Sequence, residues 1–489
     1  MQYFLGIDVG TTGTKTLLFN ADGKLLGDAY ESYPLLNQKV GCSEQNPHDW
    51  WHAICSTVRT VCNTKEIAEN TMAISLSLQG GTLVCVGENG EPVRPAIVWN
   101  DQRAETAARL YAEQFEASSL YQKTGWSLGA SLPLMQIREM KENEPELFKK
   151  TAMFLTVPDY VSLKMTGIAA CDYSDAGINQ FCQIREEKYD PELLQFAGIT
   201  EKQLPKLVKS GEVIGHLTEK AAEEMGLTTK CVLAAGAHDQ YAVALGAGAN
   251  NDGDIMIGSG TCWVITAIGA QPDFSGGLAQ SKACAPGKWG SILSLPTGGV
   301  CLEWLRKTVS GKDILGYDEI NRGVASRRAA EDGLFFFPFQ GMASAEQSFQ
   351  KASFFGLDLS HDRFHMARAI MEGVCFQAMW MIEKFREKPS KDGLILAGGA
   401  SKSRVWAQIL ANIADLPIRV PAVANLACVG AGIMAGMACG AIGSIEEGCK
   451  KLDVGTTVIL PQPEEVAKYR PLTEKYRQIA ALLGKAYQI

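Results

Sequence analysis

One pattern, used twice, limits what this chain can fold into. The stretch GIDVGTTGTKT, residues 6–16, lies between apolar, β-prone segments at 3–7 and 16–19, and turn residues follow at 20–24. A polar Gly/Thr loop with a strand on each side predicts a hairpin, not a strand-to-helix turn. It has neither the Gly-Lys-Ser/Thr run of a Walker A loop nor the spacing G-x-G-x-x-G. The pattern returns in DGDIMIGSGTCWVITAIG from Asp252: a strand at 255–257, the loop Gly258, Ser259, Gly260 and Thr261, then a strand at 263–268. Two such units, each opening one half of the 489 residues, predict a duplicated architecture with its boundary near residue 246. Each loop alone reads as a turn. Two facing loops of backbone N–H donors would hold one polyphosphate between lobes.

Between these landmarks strands and helices alternate. Residues 73–78, 82–86 and 231–235 read as strands and 104–115 and 364–385 as helices, the pattern of an α/β protein. A third glycine-rich element, LILAGGASKSRVWAQILANIADL from Leu394, reads as a strand, a turn at Gly398–Gly399, an N-cap at Ser401 or Ser403, and an amphipathic helix. Its start is either an ordinary turn or an anion site. The length suits two lobes, because single cores stop growing near ~250–300 residues.

Charge and cysteine usage narrow the function classes. The net charge is −8 with no long basic block, which argues against a nucleic-acid partner. Fourteen cysteines show no C-x-x-C pair and no clustering with histidine, so neither a zinc site nor a disulfide framework is expected. The start, MQYFLGIDVG, lacks the basic and long apolar regions of a signal peptide, and a cytoplasmic location is expected. The uncharged run at 426–445 carries Gly432, Gly436 and Gly440 at the four-residue spacing of membrane helix pairs. It lacks aromatic and basic flanks, so a buried, close-packed helix and no membrane partner are expected.

Three places offer chemistry. In CVLAAGAHDQYAVALGAG, His238 and Asp239 fall just past a strand at the start of a helix. Asp239 is either a helix N-cap or an ionised carboxylate able to take the proton of an alcohol attacking a phosphoryl group. Asp8 is either a turn-capping residue or, beside a phosphate loop, a group orienting hydrated Mg²⁺. The third place has Gln79, Gly80 and Gly81 after one strand, and Trp99, Asn100, Asp101 and Arg103 after another. An indole face with amides and carboxylates suits a sugar; a buried Trp with a polar turn is the plainer reading.

With these residues in hand, the whole chain resembles the FGGY carbohydrate kinases. The most specific segment is ASFFGLDLSHDRFHMARAIME, 352–372, similar to the family's C-terminal signature with Gly356, His365 and Ala369 at the expected spacings. The resemblance implies a two-lobed actin/Hsp70-like (ribonuclease H-like) duplicated α/β fold with a central cleft. It implies an N-terminal domain at 1–245, with the sugar side, first phosphate loop and catalytic Asp, and a C-terminal nucleotide-side domain at 246–489. It implies that Asp8 lies beside Mg²⁺ and that Thr11, Thr12, Gly13 and Lys15 lie near the phosphates. Asp239 is then the base, close to the metal as well, and Gln240 a substrate neighbour with Gln79, Gly80, Gly81, Trp99 and Asp101. GSGT (Gly258, Ser259, Gly260, Thr261) is similar to the second phosphate loop. Gly298 and Gly299 fall on the nucleotide side, and Gly398, Gly399, Ala400 and Ser401 in the adenosine pocket.

The chain departs from the family pattern in its substrate segments. Where xylulokinases show Gln-Met-His-Gly it has Gln79–Gly80–Gly81–Thr82, and glycerol kinases carry an Arg-Glu pair at Gly80–Gly81. Gln136 and Glu139 stand where Lys and Trp are usual in the N-terminal signature. The emptier loop is expected to admit a bulkier or differently oriented substrate. The expected activity is ATP- and Mg²⁺-dependent phosphorylation of a hydroxyl of a small sugar, ketose or polyol, with a homodimer as a family expectation. Two other classes remain open: an actin/Hsp70-like ATPase serving a protein partner, and a non-catalytic sugar sensor.

Overall fold

The computed structural model describes residues 2–36, 39–274, 277–309, 314–338 and 351–486, and the chain divides into two compact units. The first unites Met1–Asn250 with Ala270–Ser291 and Asn425–Asp453; the second holds Asn251–Gly269, Ile292–Ala424 and Val454–Ile489. Neither unit is one continuous stretch.

The first unit opens with β1 (Tyr3–Val9), β2 (Gly13–Asn20) and β3 (Leu25–Ser32), paired antiparallel as predicted from the Gly/Thr loop. Helix α1 (Pro47–Val61) starts on an Asn46 cap and buries Trp50, Ile54 and Val58, one face of a 3.6-residue repeat. β4 (Thr71–Leu78) then runs parallel to β1, and β5 (Val213–His216), β6 (Val232–Ala234) and β7 (Ala237–His238) complete the sheet. The strand order is β5-β6-β4-β1-β2-β3, with β7 on the end of β4. Central strands such as β1 are buried along both faces, hence an apolar sequence interrupted only by Gly6 and, near the strand end, Asp8. Helix α2 (Asp239–Gly246) follows β7 directly.

The uncharged run at 426–445 forms a helix only over Leu426–Ala438. It lies against β1, β4 and α2, and its small residues allow backbone contact: Gly6 meets Cys428 and Gly432, and Gly430 meets Ala242. Thirteen residues are too few to span a bilayer, and among the described residues no helix is long and apolar enough to cross a membrane.

The second unit repeats the opening. β8 (Ile255–Ser259) and β9 (Trp263–Gly269) pair antiparallel around the Gly258–Thr261 loop. Helices α3 (Gly299–Val309), α4 (Tyr317–Ala325) and α5 (Arg363–Ile382) follow, then β10 (Leu394–Gly398), α6 (Arg404–Ala414), β11 (Ile418–Pro421), β12 (Thr456–Ile459) and α7 (Pro463–Ala486). β8 is parallel to β10, as β1 is to β4, so hairpin and crossover are duplicated. The signature segment around Gly356 and His365 builds the entry to α5, where Asp362 caps the helix and His365 closes the capping box.

Candidate active site

The Gly10–Gly13 turn is closed by its own backbone, Gly10 N–H donating to Gly13 O at 3.1 Å. Surrounding side chains hold it. Tyr33 donates to Gly10 O (2.6 Å), Gln45 Nε2 to Thr11 O (2.7 Å) and Tyr30 to Thr12 O (3.2 Å). Thr11 Oγ1 donates to Gln79 Oε1 at 3.1 Å and lies 3.1 Å from Trp99 Nε1. Gln79 is itself buried and donates to Gln45 Oε1. Gln79 and Trp99 thus brace the loop from two sides, while Thr12 stays exposed and Gly13 is buried. Neither Gln45 nor Tyr33 stands out in the sequence, since a lone polar side chain carries no motif.

Asp8 and Lys15 are register partners across the hairpin. Ser77 Oγ donates to Asp8 Oδ1 at 2.8 Å, so Asp8 takes its bond from β4 and caps no turn. Burial pushes the Asp8 carboxyl up to about 6, with Asp239 adding to the rise and Lys15 opposing it.

Asp239 is the first residue of α2, and it is not the cap. His238 takes that role, its Nδ1 accepting the Gln240 amide at 3.3 Å. No backbone amide is given to the Asp239 carboxylate, which is 38% exposed and lies 3.1 Å from His238 Nδ1. The loop is fixed from below: His238 N–H donates to Ser174 Oγ (2.9 Å), and Ser174 and Ser210 hold Asp172 Oδ1. Gln240 is half-buried one residue further along α2.

Two substrate-side residues sit differently from expectation. Asp101 is fully buried, and its oxygens take the Ser43 amide (2.6 Å), the Arg103 amide (2.8 Å) and the Arg103 guanidinium (2.8 Å). It anchors the turn that presents Trp99, a residue 46% exposed. At Gly80 no empty space is left: a Cβ there would lie 2.6 Å from Asp175 Oδ1 and strike the His238 ring. The space a side chain would take at Gly80 is therefore filled by side chains from two other segments. Gly81 has φ +70° and faces Ile178.

In the second unit the glycine-rich elements converge on a cavity of about 550 Å³. Ser259, Gly260, Thr261, Gly299, Gly399 and Ala400 line it, with Glu303, Tyr317, Asn321, Ser403 and Trp406. Gly258, Gly298, Gly398 and Ser401, expected on the same side, are not among the lining residues. Gly399 N–H donates to Ser259 O (2.6 Å), Ala400 N–H to Ser259 Oγ (3.1 Å) and Gly299 N–H to Gly260 O (3.0 Å), so the three loops are tied together. Ser403, not Ser401, caps α6. Glu303, Tyr317 and Asn321 were not legible as site residues, because they sit on amphipathic helices α3 and α4 with no glycine or strand end to mark them.

Among the described residues no group of three or more His, Cys, Asp or Glu side chains is placed to hold a metal. Mg²⁺ needs none, since it takes one or two carboxylates and completes its shell with water and phosphate. Asp8 and Asp239 fit that donor set: both are oxygen ligands, and the Asp239 carboxylate adds to the rise in the proton affinity of Asp8.

Family models match both halves: the N-terminal domain of the FGGY family of carbohydrate kinases over residues 3–246, and its C-terminal domain over residues 254–439. The chain belongs to the FGGY family. It is a carbohydrate kinase, a phosphotransferase with an alcohol acceptor, on the two-domain α/β fold of that family. It is 31% identical over 487 residues to a xylulose kinase of Bacillus subtilis, covering 98% of this chain and 97% of the relative. A gluconokinase of the same organism is 29% identical over 503 residues, covering 99% of this chain and 97% of its own. A crystal structure of xylulose kinase from Rhodospirillum rubrum shares the fold of this kinase, with a TM-score of 0.93 at 23% identity and full coverage of both chains.

Proposed function

We propose that this kinase phosphorylates a hydroxyl, terminal in an open-chain sugar or polyol, using ATP and Mg²⁺, with Asp239 as the general base. The observation that carries the reading is the freedom of the Asp239 carboxylate, which heads α2 yet is spared the capping duty by His238. A positioned base of this kind contributes ~10²–10⁴-fold to proton transfer. Asp172, Ser174 and His238 hold its backbone still.

The division of labour follows the two family domains. Residues 1–245 would hold the acceptor beside Gln79, Trp99 and Gln240, with Asp101 supporting the Trp99 turn. Residues 246–489 would hold the nucleotide, with the second phosphate loop at Gly258–Thr261 and the adenosine against Gly399, Ala400 and Ser403. Thr11, Thr12 and Gly13 would offer hydrogen bonds to the transferred phosphoryl group, and Lys15 a positive charge. Asp8 and Asp239 would hold Mg²⁺, which when bound neutralises phosphate charge. The xylulose kinase and gluconokinase relatives support a sugar acceptor of five or six carbons. The Asp8–Asp239 pair and the sugar-side residues favour this reading over an ATPase that serves a protein partner.

Asp239→Asn tests it. The variant should fold, bind ATP with unchanged affinity and lose at least ~10³-fold in kcat on the best sugar of a pentose, ketose, polyol and sugar-acid panel. Sugar phosphorylation within tenfold of wild type would remove Asp239 from the role of base.

A further inference from the structure

Beside the nucleotide-side cavity, the second unit carries a wider groove of about 750 Å³. It lies where α4 and the turn after it, α5, the start of α6 and the start of α7 come together. Seven of its lining side chains are cations and one, Glu465, is an acid. Three of the cations are spent within the protein: Arg327 on Asp362, Arg368 on Glu372 at 2.7 Å, and Lys468 on Glu465 at 2.8 Å. Arg322, Arg328, Lys402 and Arg404 are exposed and form no ion pair with a described residue. Such a group is unexpected in a chain of net charge −8, because a concave surface lined by one sign of charge concentrates its own repulsion. Arg404 is also the first residue of α6, at the positive end of the helix dipole, and that first turn contains no acid. The lining holds no carboxylate left over to balance these charges, so an anion from solution completes it.

The remaining lining narrows what that anion is. No aromatic ring lines the groove, whereas Tyr317 and Trp406 line the neighbouring cavity, so nothing here stacks a nucleotide base. Gln408 Nε2 donates to Asn412 Oδ1 at 3.0 Å and Asn412 Nδ2 to Gln462 Oε1 at 3.4 Å, which leaves the Gln408 carbonyl and the Gln462 amide nitrogen for a ligand. Asn321 and Lys402 line both hollows, and Asn321 Oδ1 accepts from Ser403 Oγ at 2.7 Å, so the wall between them is tied to the cap of α6. We infer that this groove is a second ligand site, separate from the nucleotide cavity, for a small anion with two or more phosphate groups held by Arg322, Arg328, Lys402 and Arg404. A guanidinium fork binds two phosphate oxygens at once. One phosphate brings at most about two negative charges and would leave half of the four cations unbalanced. A bisphosphorylated sugar and an inorganic polyphosphate share this chemistry.

The full chain is titrated calorimetrically, without Mg²⁺ and with ADP at saturation, using ribulose 1,5-bisphosphate, inorganic tripolyphosphate and inorganic phosphate as probes. At least one of the first two should bind with a Kd below about 100 μM at low salt and weaken at least tenfold at 300 mM NaCl, as salt screens the charges. Inorganic phosphate should bind at least tenfold more weakly, and the tighter of the two larger probes identifies the source. In R322Q/R328Q/R404Q the probe affinity should fall at least thirtyfold, with Tm and ADP affinity close to wild type. Arg404→Gln alone should cost at least threefold and covers a failure of the triple variant to fold. No binding of either larger probe at 1 mM overturns the inference, as does an affinity unchanged by the substitutions. An equal loss of ADP affinity in the triple variant also overturns it, since the groove would then be the mouth of the nucleotide cavity. A chain that takes up no ADP sinks the kinase reading and leaves the probe titrations to decide the groove.

Discussion

A carboxylate in the first turn of a helix is ordinarily used by the helix, its oxygens taking amides that have no partner. At Asp239 that duty falls one residue earlier, on His238, and the acid is left for chemistry. Asp101 shows the opposite outcome: its oxygens are all engaged by Ser43 and Arg103. Nothing in the two local sequences separates these fates, because both are aspartates after a strand and only the partners brought by the fold differ. Asp159 is a third case. It closes the capping box with Thr156, and burial pushes its carboxyl up to about 7 against the bonds from Thr156. A raised acid stabilises the fold below its unfolded value, and that contribution is lost as pH rises through about 7. Each tenfold change in proton affinity is worth about 1.4 kcal/mol. The Tm of wild type should therefore drop between pH 6 and pH 8 by several degrees more than that of Asp159→Asn; parallel Tm profiles would show that Asp159 does not titrate there.

At the scale of elements, the Gly/Thr loops work because hairpin strands hold both their ends. The loop after β8 is locked further by β10, where Gly398 has φ +93° and a Cβ would stand 2.8 Å from Ser259 O. Only glycine is comfortable there, since an L side chain is strained at that φ and would also push the loop away. Gly398→Ala should cost about 1–3 kcal/mol in stability and raise the ATP KM at least tenfold while the sugar KM moves little. Thermal unfolding with and without ATP, together with the two KM values, checks this. A variant with wild-type ATP KM would mean that the Ser259 loop tolerates displacement.

At the scale of the molecule, the first unit needs chain from far along the sequence. The helix Leu426–Ala438 covers β1, β4 and α2 through glycine contacts at Gly6, Gly246 and Gly430. Without it the apolar surface of β1 and β4 is bare, and exposed central strands associate. A fragment ending at residue 245 should therefore be insoluble or molten, with Tm undetectable by calorimetry. Adding residues 425–453 as a separate chain should recover some folded material. A fragment that folds cooperatively without them would show the helix to be dispensable.

Much of this was legible from local pattern. Alternation of apolar and polar residues marks a strand or a helix wherever it occurs, and Gly/Thr runs between strands mark a tight turn, so the duplicated hairpins and the α/β class follow from neighbours in the chain. The short Leu426 helix could be told from a membrane span by its missing flanks. The site was legible only in part. The residues that hold Asp239, brace the Gly10–Gly13 turn, fill the corner at Gly80 and line the second unit's cavity come from segments tens of residues apart. Which carboxylate is spent on a guanidinium and which is left without a partner depends on who stands opposite in space, and that is decided by packing alone.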